Sequence, residues 1–377
     1  MRILVADKLA SFVPARLQDL GARVDVDAKL EGDSLTARIG EVDPEVLVVR
    51  STKVTAAHVA AGRSLSLIIR AGAGVNTIDM AAASARGVYV ANCPGKNAAA
   101  VAELAIGHLI NLDRRIADNV ASLRAHQWDK KALGEARALG MKIVAWSRRL
   151  TDEQAAEFGG TRAATPEAAV AHADAVTVHL ALTKETEKRI GASVFSAMKQ
   201  GAYFVNTSRG EVVDQDALIE AVRNRGIRAG LDVFAKEPSG GTAPFEDPIL
   251  DLPGVYGTCH VGASTDEAEE AVGEEVVRIV RGYQNADAIP NCVNLAVHGA
   301  ATHVVVVRHA DRVGVLAHVL RRLSENQYNV QGMENIVFSG GQAACVRVEI
   351  VGEPTPAVLA AIAESPDVFH VGASTIG

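Results

Sequence analysis

The sequence predicts an α/β protein with two doubly wound parallel-sheet domains and a smaller βαββαβ module at the C-terminal end. Three observations carry that expectation. Short runs of Val, Ile, Leu and Ala alternate with Ala-rich helical stretches through most of the chain. These runs show little alternation of polar and apolar residues, so they suit strands buried on both faces. Near residue 295 the rhythm changes to strand, helix, strand, strand, helix, strand, the order of a ferredoxin-like unit.

Length and composition bound the answer. The chain has 377 residues, 48% of them hydrophobic and 22% charged. At about 100–200 residues per domain, that length predicts two or three domains. The mixture suits a globular chain and excludes a disordered or collagen-like one. A net charge of −7 argues against a general nucleic-acid binder, which needs a basic excess. It is compatible with a local basic pocket for a small anion. With no apolar run of about 18 residues, no membrane partner is expected. The first residues read as a strand and not as a secretory signal, so a cytoplasmic protein is expected. Cys93, Cys259, Cys292 and Cys345 form no C-x-x-C pair. Reduced thiols are expected, without metal or disulfides.

The expected parallel strands are residues 2–6, 46–49, 66–70, 88–91, 142–146, 175–179, 203–206, 229–233 and 255–258. Helix punctuation supports the alternation. Asp214 stands as an N-cap before Gln215, and Gly226 stops that helix. Thr151 and Gln154 have capping-box spacing, and Gly159 closes their segment. A linker over 296–302 leads into a strand at 303–307 and a helix at 313–324. Strands at 329–338 and 343–351, a helix at 356–364 and a strand at 368–372 complete the module. The hexapeptide from His260 to Thr265 recurs from His370 to Thr375. The second copy lacks the chemical surroundings of the first and reads as structural.

Three strand ends carry chemistry. Arg209 follows the strand 203–206, Glu237 lies in the loop after 229–233, and His260 follows 255–258. Open α/β sheets bind ligands beyond the carboxyl ends of their strands. Arg209 can hold a carboxylate or keto oxygen through two parallel hydrogen bonds. His260 can give a proton to a carbonyl as hydride arrives, and take it back in reverse. Glu237 beside it would favour the imidazolium. Together they suit reduction of a 2-keto acid.

These segments resemble the D-isomer-specific 2-hydroxyacid dehydrogenases over nearly the whole chain. The resemblance implies that Arg209, Glu237 and His260 are catalytic. It makes Val49-Arg50-Ser51-Thr52-Lys53 a substrate-anion strand end, with Arg50, Ser51 and Lys53 as contacts. It makes Leu67 to Asn76 a substrate loop, in which the backbone N–H groups of Ala73, Gly74, Val75 and Asn76 hold a carboxylate. Asn92 to Leu104 resembles the hinge into the cofactor domain. Asp232 matches the residue that contacts the nicotinamide amide, and Thr207 is also expected at the cofactor. The C-terminal module resembles an ACT domain, which implies an amino-acid effector near the loop from His309 to Gly314. Val313 stands there where Pro is common. The implied domains are 1–96 with 270–295 for substrate, 97–269 for cofactor, and 302–377 for regulation. A homo-oligomer is also implied. Hydroxypyruvate or glyoxylate reduction fits the same residues, as does a catalytically impaired relic that senses an amino acid or serves in assembly.

One departure is large. A dinucleotide-binding domain carries G-x-G-x-x-G between its first strand and helix, and that hexapeptide occurs nowhere in the chain. The nearest imitation, Gly72 to Thr77, belongs to the substrate half. The fingerprint is expected just before 142–146, but Trp128-Asp129-Lys130-Lys131 runs straight into a helix-like stretch from Ala132 to Met141. Roughly 20 residues are missing near 131–132, counting the strand, the loop and a lead-in. The expected cofactor domain is thus a Rossmann-like unit without its first strand and glycine loop. Its neighbouring strands lose a ladder partner, and the pyrophosphate loses a helix N-terminus. The strand 142–146 ends in Ser147-Arg148-Arg149, with no acidic residue for a ribose. Arg148 there suits a 2′-phosphate, and a surface arginine pair reads equally well, so NAD and NADP both stay open.

Overall fold

The computed structural model describes residues 1–127, 141–238, 242–285, 288–296 and 299–376. The expected junction near 131–132 and the helix-like stretch after it, up to Gly140, lie outside the described residues. The structure divides into one unit of residues 1–294 and a second that starts at Leu295.

The first unit opens with β1 (Arg2–Val5), α1 (Val13–Asp19), β2 (Arg23–Val26), α2 (Gly32–Val42), β3 (Val46–Val49), α3 (Ala56–Ala61), β4 (Leu67–Arg70), α4 (Met80–Ala85) and β5 (Tyr89–Asn92). The strands pair in parallel in the order β2-β1-β3-β4-β5. Every residue of β3 is buried, as a strand covered on both faces requires. Ile3, Val5, Val46, Val48, Leu67 and Ile69 pack on one face with Val13 and Leu17 of α1. Leu4, Leu47, Val49 and Ile68 face the other way, onto Leu35, Ile39 and Val59. This alternation is the two-residue period of a strand. Each such side chain contributes about 1.5–3 kcal/mol by leaving water.

The chain continues with α5 (Ala98–Arg114), α6 (Ile116–Arg124), β6 (Ile143–Ala145), α7 (Asp152–Glu157), β7 (Gly160–Arg162), α8 (Pro166–Val170), β8 (Ala175–Val178), α9 (Ala192–Ala197), β9 (Tyr203–Asn206), α10 (Gln215–Arg225), β10 (Arg228–Leu231), β11 (Val255–Gly257) and α11 (Asp266–Gln284). A second parallel sheet has the order β11-β10-β9-β8. Phe204 of β9 meets Phe195 of α9 edge-on at 5.1 Å. Val205 faces the other side, onto Ala105 and Leu112 of α5. The last helix, α11, returns to the first sheet, where Val276, Val277, Ile279 and Val280 join its core.

Strands β6 and β7 form a separate parallel pair. Among the described residues β6 pairs only with β7, and β8 only with β9. Ile143 and Val144 of β6 are each 49% exposed, far from the full burial of β3.

The second unit holds β12 (His303–Ala310), α12 (Val315–Glu325), β13 (Val330–Val337), β14 (Ala343–Ile350), α13 (Pro356–Ala363) and β15 (Val368–Thr375). Its antiparallel sheet has the order β13-β14-β12-β15. Val305, Val307, Val346, Val348 and Ile350 pack beneath Val319, Leu323, Val358 and Ile362. This is the expected ferredoxin-like arrangement. Among the described residues no helix is long and apolar enough to cross a membrane.

The structure corrects several local expectations. Strands β2 and β7 were not foreseen: β2 is a half-exposed edge strand and β7 a three-residue one, so neither shows an apolar run. Asp214 precedes α10, but its side chain makes no capping hydrogen bond. Gly226 does close that helix, at φ +65°. Thr151 and Gln154 form the expected reciprocal box, at 3.2 and 3.0 Å. The second copy of the hexapeptide is simply part of β15.

Candidate active site

Three strand exits of the second sheet converge on one group of side chains. After β9, Asn206 shapes the turn. Its Oδ1 accepts the Ser208 N–H at 3.0 Å and hydroxyl at 2.8 Å, while its Nδ2 donates to the Arg209 carbonyl at 2.8 Å. Gly210 lies so close to the Phe234–Ala235 peptide that a Cβ would overlap it. Arg209 is thereby presented beside the exit of β10.

Glu237 and His260, expected together from the sequence, are in contact. Glu237 Oε2 lies 2.7 Å from His260 Nδ1, and Oε1 accepts the Phe234 N–H at 2.8 Å. Burial works to raise the Glu237 carboxyl. The bonds from His260 and Phe234 and the nearby Arg209 charge outweigh it, and hold the group below its ordinary range.

His260 stands in a left-handed turn at φ +51°, uncommon for a residue with a side chain. Asp232, almost fully buried, holds that turn. Its carbonyl accepts the His260 N–H at 2.8 Å. Its Oδ1 accepts the Thr258 hydroxyl at 2.6 Å and the Val261 N–H at 2.9 Å, and its Oδ2 accepts the Gly262 N–H at 2.9 Å. The expected nicotinamide contact therefore retains one acceptor position on Oδ2. Thr207, also expected at the cofactor, is buried, and its Oγ1 has no partner among the described residues.

The first sheet contributes the loop after β4. The N–H groups of Ala73, Gly74, Val75 and Asn76 donate to no described residue. A Cβ on Gly74 would stand 2.5 Å from Arg209 Nη2, so this loop and Arg209 lie together. At the other expected anion contacts, much of the polar capacity is already taken. Arg50 Nη1 pairs with Glu269 at 2.8 Å. The Ser51 hydroxyl donates to Asp7 Oδ1 at 3.0 Å. Lys53 is exposed.

Two residues at this site were missed. Asp7, buried beyond β1, accepts the N–H groups of Arg50, Ser51 and Thr52 at 2.7, 3.2 and 3.0 Å. Arg70 ends β4 with its Nε buried and unpartnered among the described residues. Burial, then the Arg209 and Arg50 charges, push its guanidinium down to about 10. Both were legible as polar residues at parallel strand ends, the signal that singled out Arg209.

Arg148, the expected ribose-phosphate contact, is exposed on the turn after β6. In the second unit His309 is buried, with Nδ1 2.8 Å from the Ala310 carbonyl and Nε2 3.3 Å from Asn335 Oδ1. Arg312 pairs with Asp367 at 3.0 Å, and Val313 is wholly exposed. The four cysteines are free, and burial pushes the Cys93 thiol up to about 12.

The family profile "D-isomer specific 2-hydroxyacid dehydrogenase, NAD binding domain" matches residues 130–262. A hydroxypyruvate reductase of Thermotoga maritima is 38% identical over 274 residues, covering 66% of this chain and 87% of that protein. The chain belongs to the D-isomer-specific 2-hydroxyacid dehydrogenases. Within this dehydrogenase family, a D-3-phosphoglycerate dehydrogenase of Methanocaldococcus jannaschii is 35% identical over 320 residues, 78% of this chain. The chain spans 60% of that relative, and 64% of the Mycobacterium leprae enzyme of the same name. Among solved structures, the TT0316 protein of Thermus thermophilus superposes with a TM-score of 0.66 at 27% identity, covering 78% of this chain and all of that one. The NADPH-dependent glyoxylate/hydroxypyruvate reductase of Sinorhizobium meliloti gives 0.64 at 26%, over 78% of this chain and 96% of that one.

Proposed function

We propose that this dehydrogenase moves hydride between a nicotinamide cofactor and C2 of a small anionic 2-hydroxy acid, with D-3-phosphoglycerate as the first substrate to try. The observation that carries this reading is the His260–Glu237 pair beside Arg209 and the open N–H groups of 73–76. Those N–H groups form a concave anion site for a carboxylate. Arg209 holds the carboxylate or keto oxygen through its planar fork. Glu237, held ionised, fixes His260 through Nδ1 and leaves Nε2 to give or take the C2–OH proton. Arg70, a half-buried cation whose Nε has no hydrogen-bond partner among the described residues, supports a second negative group on the substrate. Relatives named D-3-phosphoglycerate dehydrogenase support the same choice.

The residues fit the nicotinamide end of a cofactor. Thr207 Oγ1 is a buried hydroxyl without a partner among the described residues, and Asp232 Oδ2 keeps one acceptor position beside it in the same strand-end cluster. When bound, NAD or NADP supplies or accepts the hydride. For the pyrophosphate, the chain holds no G-x-G-x-x-G. A homo-oligomer is supported by the half-exposed Ile106 and Ile110 of α5 and Ile116, Val120 and Leu123 of α6. The second unit is read as a regulatory module for an amino acid, and the protein as cytoplasmic.

The test is steady-state reduction of 3-phosphohydroxypyruvate, hydroxypyruvate and glyoxylate with NADH and with NADPH. Turnover with preference for the phosphorylated acid supports the main reading. Preference for hydroxypyruvate or glyoxylate supports the second reading, which the Thermotoga relative favours. No turnover by a cooperatively folded chain sinks both, and leaves the protein a non-catalytic relic.

A further inference from the structure

One buried polar group lies outside the reaction as described. His108, on α5, is 5% exposed. Its ring lies against Gly230 of β10, where a Cβ would stand 2.9–3.0 Å from the His108 side chain. Its Nε2 is 3.1 Å from Thr258 Oγ1. Thr258 in turn bonds Asp232, and Asp232 holds the turn at His260.

Proton counting fixes the direction of this chain. Asp232 receives N–H groups at both oxygens, so it acts as an acceptor. A hydroxyl has one proton, and that of Thr258 goes to Asp232 Oδ1. Thr258 Oγ1 therefore accepts from His108, and His108 carries its proton on Nε2. Burial pushes the His108 imidazole down, consistent with a neutral ring in that tautomer. The relay runs from His108 Nε2–H to the Thr258 hydroxyl to Asp232, which gathers the N–H groups of His260, Val261 and Gly262.

We propose that His108 is a positioning residue for the reaction: it orients the Thr258 hydroxyl onto Asp232, and so fixes the left-handed turn that presents His260 to substrate. A helix of the sheet's outer layer thereby sets the geometry of the acid/base. In that role His108 touches neither substrate nor cofactor. The inference rests on the proposed role of His260, but the state of the turn can be read without any activity.

The test compares His108→Leu, which keeps bulk and removes the donor, with His108→Gln, which keeps an N–H donor. Thr258→Val cuts the same link from the other side and leaves α5 untouched. Amide hydrogen exchange at Val261 and Gly262 is measured beside kcat and KM. In H108L and T258V, exchange at these two amides should rise by about tenfold, because their acceptor is no longer fixed. In both variants kcat should fall by about tenfold while KM for the keto acid moves less than about twofold, as expected for a displaced acid/base. H108Q should restore exchange and kcat to within about threefold of the parent. If H108L does not fold, T258V gives the same reading. Unchanged exchange at 261 and 262 in T258V overturns the proposal, as does an H108Q variant as impaired as H108L. A parent chain inactive on every keto acid counts against the proposed function instead, and the exchange result still decides the fate of the relay.

Discussion

The exits of β9, β10 and β11 and the exit of β6 belong to one unit, yet they are built to different standards. Arg209 and Asp232 leave β9 and β10, each paired on both sides; His260 leaves the three-residue edge strand β11, and its turn is pinned by hydrogen bonds to Asp232. Arg148 leaves β6, which among the described residues pairs only with β7, and whose Ile143 and Val144 are half-exposed. A reacting group must be held within a fraction of an ångström. A ribose phosphate contact tolerates far more movement. Among the described residues, the proposed hydride-transfer corner is thus better supported than the proposed ribose-phosphate contact.

The largest test of that contrast is at the reacting group itself. His260→Asn should lower kcat by about 10³- to 10⁴-fold, toward the upper range for loss of a general acid/base. Its midpoint of thermal unfolding should stay near that of the parent, since His260 is partly exposed. A loss of less than tenfold in steady-state assays would remove His260 from the chemistry.

Stability should divide along the same line. Phe204→Ala removes a fully buried ring from β9, and should cost about 3–5 kcal/mol. Val144→Ala on β6 should cost no more than about 0.5 kcal/mol. Urea denaturation of both variants measures the gap, and equal costs would mean that β6 is packed as tightly as β9.

A third support lies where the chain crosses between the sheets. Glu275 of α11 is held by Arg278, by Lys96 at 3.1 Å and by Asn291 at 2.6 Å. These contacts, the Arg278 bond foremost, outweigh burial and hold its carboxyl down at about 2. A carboxyl depressed in the folded state adds stability above its unfolded pKa, and that stability is lost as pH falls through the folded value. The contribution is at most about 3 kcal/mol at neutral pH, since solvent reaches the Arg278 and Lys96 side chains and screens it, and it decays between about pH 5 and pH 2. Glu275→Gln should therefore lower stability at pH 7 and flatten its acid dependence, as read by denaturation at several pH values. A parallel acid limb in the variant would assign the stabilisation elsewhere.

Much of this was legible in the sequence because burial and punctuation leave local marks. Val46–Val49 is apolar throughout because both faces are covered, and its bounds follow directly. Arg209 and His260 stood out because, with Glu237, they fall in order at three successive parallel strand ends, a stronger pattern than any one of them alone. What stayed hidden depends on partners distant in sequence. That Asp232 also holds the His260 turn shows only once its bonds to residues 261 and 262 are seen. The bond from the Ser51 hydroxyl to Asp7 is likewise invisible until the two strand ends are seen together. His108 carried no signal, since a histidine on an Ala-rich helix looks like any other. Strand β7 was invisible because three residues beginning with glycine make no apolar pattern.

The smallest effect concerns the choice of cofactor, and it bears directly on the weak end of the comparison. An Arg at the end of the second strand of a dinucleotide unit can pair a 2′-phosphate. Arg148 is exposed, so water and salt screen its attraction, and an exposed charge pair is worth at most about 1 kcal/mol. That limits the change in the NADPH-to-NADH preference to about fivefold. Arg148→Ala should raise KM for NADPH by no more than this, leave KM for NADH in place, and lose its effect at high salt. A change of a hundredfold would require a guanidinium fixed and shielded from solvent. The end of β6 would then have to close around the cofactor, and the adenosine side would be as well supported as the hydride-transfer corner. No change for either cofactor would leave Arg148 and Arg149 as a solvated pair ahead of the Thr151 cap, with the cofactor preference set elsewhere in the chain.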